Sequence, residues 1–292
     1  MTAVKCIAVL GAGTMGRGIA QLCAGRGVEV RLFDVSQDVL ARATEAVSQQ
    51  LKNLVNKGKL TAEAAASTEA RIGRHTELES ACANTELVVE AAPERMDLKV
   101  DLMGKVVPLV SSTTLLASNT SSLSLTELGN RIGEPARTVG LHFFNPPPVM
   151  PLLEIVRGLG TDASSIDRAL EFAAQIGKEP IVVNDVPGFA SSRLGVALGA
   201  EAIRMLESGV ARARDIDRAM ELGYRHPMGP LKLTDLVGLD VRLAILEHLH
   251  REVGDQFRPP ALLRQMVRAG RLGKKVGLGF YRWTDEGPVA ID

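Results

Sequence analysis

The sequence holds only three cysteines among its 292 residues, Cys6, Cys23 and Cys82. An odd number with no C-x-x-C spacing frames neither a disulfide scaffold nor a structural zinc site. Net charge is missing too: Lys plus Arg and Asp plus Glu each number 34, so no global field recruits nucleic acid or an anionic membrane. Any anionic ligand has to be held by local design. Long hydrophobic runs are also absent. The opening apolar run breaks at Gly11, too short for a signal h-region, and no later run reaches the roughly 20 residues of a membrane span. These absences point to the cytoplasm. There is no repeat and no low-complexity tract; Ala62–Ala66 is simply a good helix former. No metal is expected, since His248 and His250 stand two apart on a predicted helix and do not share a face.

What is present is an ordinary globular composition, 46% apolar and 23% charged, on a chain long enough that two domains are the natural expectation. From Val4 to about Val183 short apolar β-type runs alternate with longer amphipathic stretches, the pattern of βαβ units around a parallel sheet. Strands are predicted at 5–10, 28–33, 87–90, 115–118, 138–142, 152–156 and 180–183, with helices that include 14–24, 38–56 and 164–176. Beyond Asp185 the texture becomes helical at 188–207, 214–222, 231–253 and 261–269. The expected architecture is α/β: a doubly wound, mostly parallel sheet over 1–185, followed by an all-helical domain over 186–292.

Gly11-Ala-Gly13-Thr14-Met15-Gly16 follows the first strand and opens a helix. Glycines so spaced allow a tight turn, close approach of a pyrophosphate to the backbone, and close helix–strand packing. Helix N-terminal amides then hold phosphate without a basic side chain. Alone, the motif also fits an ordinary glycine turn. The second strand, however, ends at Asp34, where a Rossmann unit places the acid that accepts hydrogen bonds from ribose hydroxyls. A carboxylate there repels a 2′-phosphate, so the expected cofactor is NAD and not NADP.

Two further strand ends are polar: Ser118-Asn119-Thr-Ser121-Ser122 and His142-Phe-Phe-Asn145-Pro146. In an open α/β sheet, ligands bind outside the carboxyl ends of the strands. Oxidising a secondary alcohol by hydride removal needs a base for the hydroxyl proton, and histidine titrates in the useful range. His142 is the candidate, although a hydrogen-bonded core imidazole is an equally good reading of its position. Glu154 interrupts the apolar run Leu152–Val156, and a carboxylate there is costly to bury unless paired. Spacing alone does not say with what.

Taken in order, Ala117-Ser-Asn-Thr-Ser-Ser122, Leu141-His-Phe-Phe-Asn-Pro146 and Asp185-Val-Pro-Gly-Phe189, with Asp34 and the closing Gly277-Leu-Gly-Phe-Tyr281, resemble the 3-hydroxyacyl-CoA dehydrogenase family. The likeness covers nearly the whole chain and is nearest to short-chain 3-hydroxybutyryl-CoA members. It implies NAD-dependent interconversion of L-3-hydroxyacyl-CoA and 3-oxoacyl-CoA, with His142 as base and Glu154 hydrogen-bonded to its other ring nitrogen. Ser121 would then meet the substrate hydroxyl, Asn119 and Glu94 the nicotinamide end of NAD, and Asn145 the His–Glu pair or the substrate. Plainer roles exist: Asn119 and Ser121 as caps of the next helix, Glu94 as a helix-start acid. The resemblance also implies an acyl-CoA partner and a homodimer formed through the C-terminal domain.

One departure stands out. The family usually carries Asn before Arg193, whereas this chain has Ser192; that Asn is thought to contact the acyl thioester, and Ser offers a shorter reach with one donor. Lys57, at a helix end, serves equally as a CoA phosphate contact or a solvated C-terminal cation. The rival activities are a 3-hydroxyadipyl-CoA dehydrogenase, an L-gulonate-type sugar-acid dehydrogenase, and a catalytically silent NAD-binding structural protein.

Overall fold

The run Cys6–Leu10 forms strand β1, buried at every position, as a strand covered on both faces by helices must be. The structure is a computed structural model that describes residues 3–291. It divides into two compact units, Met1–Val186 and Pro187–Asp292. In the first, β1 is followed by α1 (Thr14–Gly25), β2 (Glu29–Phe33), α2 (Gln37–Asn56), α3 (Ala62–Ala70), β3 (Ile72–His75), α4 (Leu78–Cys82) and β4 (Leu87–Glu90). Then come α5 (Met96–Val106), β5 (Leu115–Ser118), α6 (Leu125–Arg131), β6 (Thr138–Phe143), β7 (Leu152–Arg157), α7 (Ala163–Gln175) and β8 (Glu179–Asn184).

These strands form one sheet in the order β3-β2-β1-β4-β5-β6-β7-β8. Every neighbouring pair is parallel except β6 and β7. The chain winds outward from β1 to β3, then crosses back to β4 on the other side of β1. The crevice beyond the carboxyl ends of β1 and β4 is therefore the topological switch point, where open α/β sheets bind ligands. Alternate residues of β1 feed two cores. Ile7 and Val9 pack with Ile19, Leu87 and Phe172, while Ala8 and Leu10 pack with Val88, Met103 and Leu116, as the two-residue period of a strand dictates.

The doubly wound sheet matches the expectation, with two additions in this unit. Strand β3 is a four-residue edge strand, Ile-Gly-Arg-His, whose composition carries little β signal and whose existence rests on pairing with β2. Helix α3 extends the alanine run to Ala70 and is capped by Thr61, whose side chain accepts from the Ala64 amide.

The second unit holds α8 (Ser191–Glu207), α9 (Ala213–Gly223), α10 (Pro230–Val237), α11 (Leu239–Glu252) and α12 (Ala261–Arg268) around a core that includes Val196, Ile203, Leu231, Leu246 and Leu263. The stretch read as one helix over 231–253 is two, broken at Gly238, which adopts φ +105, a conformation open to glycine at little cost. The unit is helical, and to its helices it adds an antiparallel hairpin, β9 (Tyr281–Thr284) with β10 (Gly287–Ala290). Two buried carboxylates anchor it. Asp235 accepts from the amides of Phe280 and Tyr281 and from Trp283 Nε1, and Asp217 accepts from the Tyr281 hydroxyl at 2.8 Å. Burial pushes both carboxyls above the usual range despite these donors. Among the described residues no helix is long and apolar enough to cross a membrane.

Candidate active site

The glycine turn is set by backbone crowding. Gly11 has φ +103, and a Cβ there would lie 2.8 Å from the Ala91 carbonyl oxygen; a Cβ on Gly16 would lie 1.7 Å from that of Gly11. Only glycine fits at either position. Gly13 is exposed, nothing stands within 4 Å of where its Cβ would be, and it begins α1 without a side-chain cap. Thr14 and Met15 form the first turn. Asp34, just beyond β2, is fixed at the rim of this loop: Oδ2 accepts from the Ala12 amide at 3.0 Å and Oδ1 from the Ser36 amide at 3.1 Å. An open helix N-terminus suits a pyrophosphate, and a carboxylate with lone pairs to spare suits ribose hydroxyls. These residues fit a dinucleotide.

Across the switch point, β4 ends in Glu90 and β5 in Ser118. Glu90 is fully buried and accepts from Lys99 Nζ at 2.8 and 2.9 Å, from Ser118 Oγ at 2.5 Å and from the Ala92 amide at 2.6 Å. Lys99 Nζ reaches on to Glu94 Oε2 at 3.4 Å. Glu94 Oε1 in turn accepts from Thr120 Oγ1 at 2.6 Å, the Ser121 amide at 2.9 Å and Ser121 Oγ at 3.3 Å. Glu94 and Ser121 thus belong to one network. Neither plainer role holds for them. Ser124, not Ser121, caps α6 by accepting from the Glu127 amide, and the first-turn acid of α5 is Asp97. Asn119 also does not cap; its Oδ1 accepts from the Phe143 amide at 2.9 Å and so ties the end of β5 to the end of β6.

Glu90 and Lys99 were not singled out from the sequence. The signal was there. Lys99, Met103 and Val106 are the buried residues of α5, an i, i+4, i+7 stripe on which a lone lysine demands a buried acid.

On the other side of Asn119, His142 and Glu154 are direct partners in the antiparallel register of β6 and β7. His142 Nδ1 lies 2.6 Å from Glu154 Oε2, and the carboxylate is fully buried. The pairing that spacing left open is therefore present. Phe144 stacks at a tilt against the imidazole, ring centroids 4.6 Å apart. Asn145, two residues beyond β6, is exposed. The loop behind it is held by Lys178, whose buried Nζ donates to the carbonyl oxygens of Pro147 at 2.6 Å and Met150 at 2.5 Å. Burial pulls the Lys178 pKa down, and the nearby Arg26 adds to the effect.

Two sequence candidates stand on other elements. Lys57 is the exposed C-cap of α2, a helix of 20 residues and so about 30 Å long. Ser192 is in the first turn of α8, in the second unit.

Residues 6–186 match the NAD-binding domain of 3-hydroxyacyl-CoA dehydrogenase, and residues 188–283 match its C-terminal domain. A probable 3-hydroxybutyryl-CoA dehydrogenase of Deinococcus radiodurans is 44% identical over 94% of this chain and 99% of its own. A 3-hydroxyadipyl-CoA dehydrogenase of Escherichia coli is 41% identical over all of this chain and 62% of its own. The crystal structure of (S)-3-hydroxybutyryl-CoA dehydrogenase from Ralstonia eutropha superposes with a TM-score of 0.92 at 40% identity, covering 97% of this chain and all of that one. The glycine turn with Asp34, the doubly wound sheet, the helical second unit and these matches over almost the full length all agree: the chain belongs to the 3-hydroxyacyl-CoA dehydrogenase family and uses NAD as its cofactor.

Proposed function

We propose that this enzyme interconverts L-3-hydroxyacyl-CoA and 3-oxoacyl-CoA, with short substrates such as 3-hydroxybutyryl-CoA, and that His142 is its general base. The observation that carries the reading is the 2.6 Å contact between His142 Nδ1 and the buried Glu154 carboxylate, at the strand end beside Asn119. With Nδ1 turned to Glu154, the ring takes the hydroxyl proton at Nε2. The carboxylate holds the imidazole in that tautomer and stabilises the imidazolium that forms, a large effect away from solvent. Bound NAD supplies the hydride acceptor. Glu94 and Asn119 hold the nicotinamide end, Ser121 donates to the substrate oxygen, and Asn145 lies at the open rim where the substrate approaches.

Asp34 receives the ribose hydroxyls, and the amides of Gly13, Thr14 and Met15 receive the pyrophosphate. Lys57 is assigned to the CoA moiety and Ser192 to the thioester. The second unit is assigned to homodimer formation, for which the exposed Leu194, Leu222 and Tyr224, 72%, 69% and 75% accessible, offer apolar surface. A panel of acetoacetyl-CoA, 3-oxohexanoyl-CoA and free 3-oxo acids, followed by NADH absorbance, tests the reading. Turnover of the free acids alone would replace it with a sugar-acid type of activity, and NADH binding without any turnover would replace it with a silent NAD-binding protein.

A further inference from the structure

Glu90 and Lys99 are buried in the first unit and take no part in the proton transfer assigned to His142. Burying two charges is costly unless each is paired and bonded, so what they hold in place indicates what they serve. Lys99 Nζ bonds to both Glu90 oxygens and to the Ala92 carbonyl oxygen, and it reaches Glu94 Oε2. One ammonium is therefore shared by two carboxylates, and among the described residues no other cationic side chain bonds to either. Glu90 receives donors only, from Lys99, Ser118 Oγ and the Ala92 amide, as an ionised carboxylate does. Burial would raise the Glu94 carboxyl, but Lys99 and the Thr120 and Ser121 donors hold its pKa below the usual range. The cluster Glu90–Lys99–Glu94 thus carries one net negative charge.

The cluster borders both the glycine turn and the polar end of β5. Next to Glu90, the Ala91 amide donates to the Leu10 carbonyl oxygen at 2.7 Å, and the Ala91 carbonyl oxygen lies 2.8 Å from where a Cβ on Gly11 would stand. On the other side, the Glu90 carbonyl oxygen accepts from the Asn119 amide at 2.8 Å. Ser118 Oγ, bonded to the Glu90 carboxylate, also accepts from the Thr120 amide at 3.3 Å. Glu90 therefore holds the backbone that presents Asn119 and Ser121 and, through Lys99, the carboxylate of Glu94.

We propose that Glu90 is a positioning residue of the nicotinamide site: acting through Lys99, it leaves the cluster one negative charge in excess, which favours the oxidised, cationic ring of NAD⁺ over the neutral ring of NADH. This rests on the reading that Glu94 and Asn119 meet the nicotinamide end. Without the Glu90 carboxylate, the charges of Lys99 and Glu94 cancel. With it, one charge is left over, and because Glu90 is fully buried water and salt screen that charge weakly. The cluster then biases cofactor binding towards NAD⁺, and so towards oxidation of the hydroxyl, an effect that hydrogen bonding by neutral groups does not give.

The test is the ratio of the NAD⁺ and NADH dissociation constants, measured by calorimetric titration without acyl substrate. Glu90→Gln keeps the shape and removes the charge. It should weaken NAD⁺ more than NADH and raise the ratio about 3- to 10-fold, the effect of one unit charge beyond direct contact at an effective dielectric constant of about 20. Glu90→Gln/Lys99→Met removes both charges and leaves Glu94 as the single negative one. Its ratio should return to within about twofold of wild type, whatever happens to the two affinities. A role in shape alone predicts instead that the double variant departs further than the single one. An unchanged ratio in Glu90→Gln overturns the proposal, and so does a double variant that keeps the shifted ratio. If Glu90→Gln does not fold, the double variant, in which neutral groups replace a buried ion pair, carries the test: a shift beyond about threefold from wild type overturns the proposal. Glu94→Gln should raise the ratio as well. If it does not, the nicotinamide lies elsewhere and the reading of Glu94 falls; if it does while Glu90→Gln leaves the ratio alone, only the role of Glu90 falls.

Discussion

His142 and Glu154 face each other across the antiparallel pair β6 and β7, Nδ1 to Oε2 at 2.6 Å, so neighbouring backbone hydrogen bonds fix the imidazole and the carboxylate that orients it. His142→Ala should keep NADH affinity and lose about 10²–10⁴-fold in kcat, the usual range for a general base. Glu154→Gln should also lower kcat, and the double variant should be little worse than His142→Ala, because the two act as a unit. Kinetics with a parallel NADH titration check this. Near-normal turnover in His142→Ala would remove it from the mechanism.

Asp34 is bound to the Ala12 and Ser36 amides, which makes it part of the glycine turn as well as an acceptor for the ribose. Wild type is expected to prefer NADH to NADPH. Asp34→Ser should weaken NADH, relieve repulsion of the 2′-phosphate and so narrow the preference; affinities for both cofactors measured by fluorescence titration decide it. A wild type that prefers NADPH would show the end of β2 to be misread.

Two of the strands that carry the site were legible in the sequence because each is an apolar run that ends in a polar residue: Leu87–Glu90 and Leu115–Ser118 match the structure residue for residue. Strand β3 was not, since a short edge strand is decided by its neighbour. Nor was the break at Gly238, since a glycine inside a helical period marks a stop only when the backbone takes a positive φ. Glu154 could be seen to need a partner but not which one, because strand register joins residues twelve apart. The buried arginine of α11, Arg242, was hidden for a similar reason. It lies on the buried stripe Leu239, Arg242, Leu246, Leu249, a pattern visible only once the helix boundary is known.

Ser192 is the residue that the resemblance in sequence marks as a departure, standing where Asn was expected. If its hydroxyl meets the thioester, Ser192→Ala should cost roughly 0.5–1.5 kcal/mol in kcat/KM for acetoacetyl-CoA, the worth of a neutral hydrogen bond, with NADH affinity unchanged. Ser192→Asn should bring no large gain, because the bulkier amide would crowd a position that carries serine. The loss should be confined to CoA thioesters. Equal loss on a free hydroxy acid, or none on either, would reduce Ser192 to a helix-start residue.

Glu94 supplies a pH-dependent prediction. Burial alone would raise its carboxyl, but the Lys99 ammonium and the donors from Thr120 and Ser121 outweigh it and hold the pKa below the usual carboxylate range. A depressed folded-state pKa means that the ionised form contributes stability fully above the unfolded-state value, and that this contribution fades as pH falls through the folded one. Because the side chain is 37% exposed, solvent screening keeps the contribution modest. Glu94→Gln should therefore melt below wild type at neutral pH, and the gap should close as the pH is lowered through the acid range. The same variant should weaken NADH binding, since the network that joins Glu94 to Ser121 and Lys99 loses its charge. Paired thermal melts across pH, with an NADH titration at neutral pH, test both. A melting gap that stays constant down to acid pH would mean that the Glu94 carboxylate contributes through shape and hydrogen bonding alone, and not through its charge.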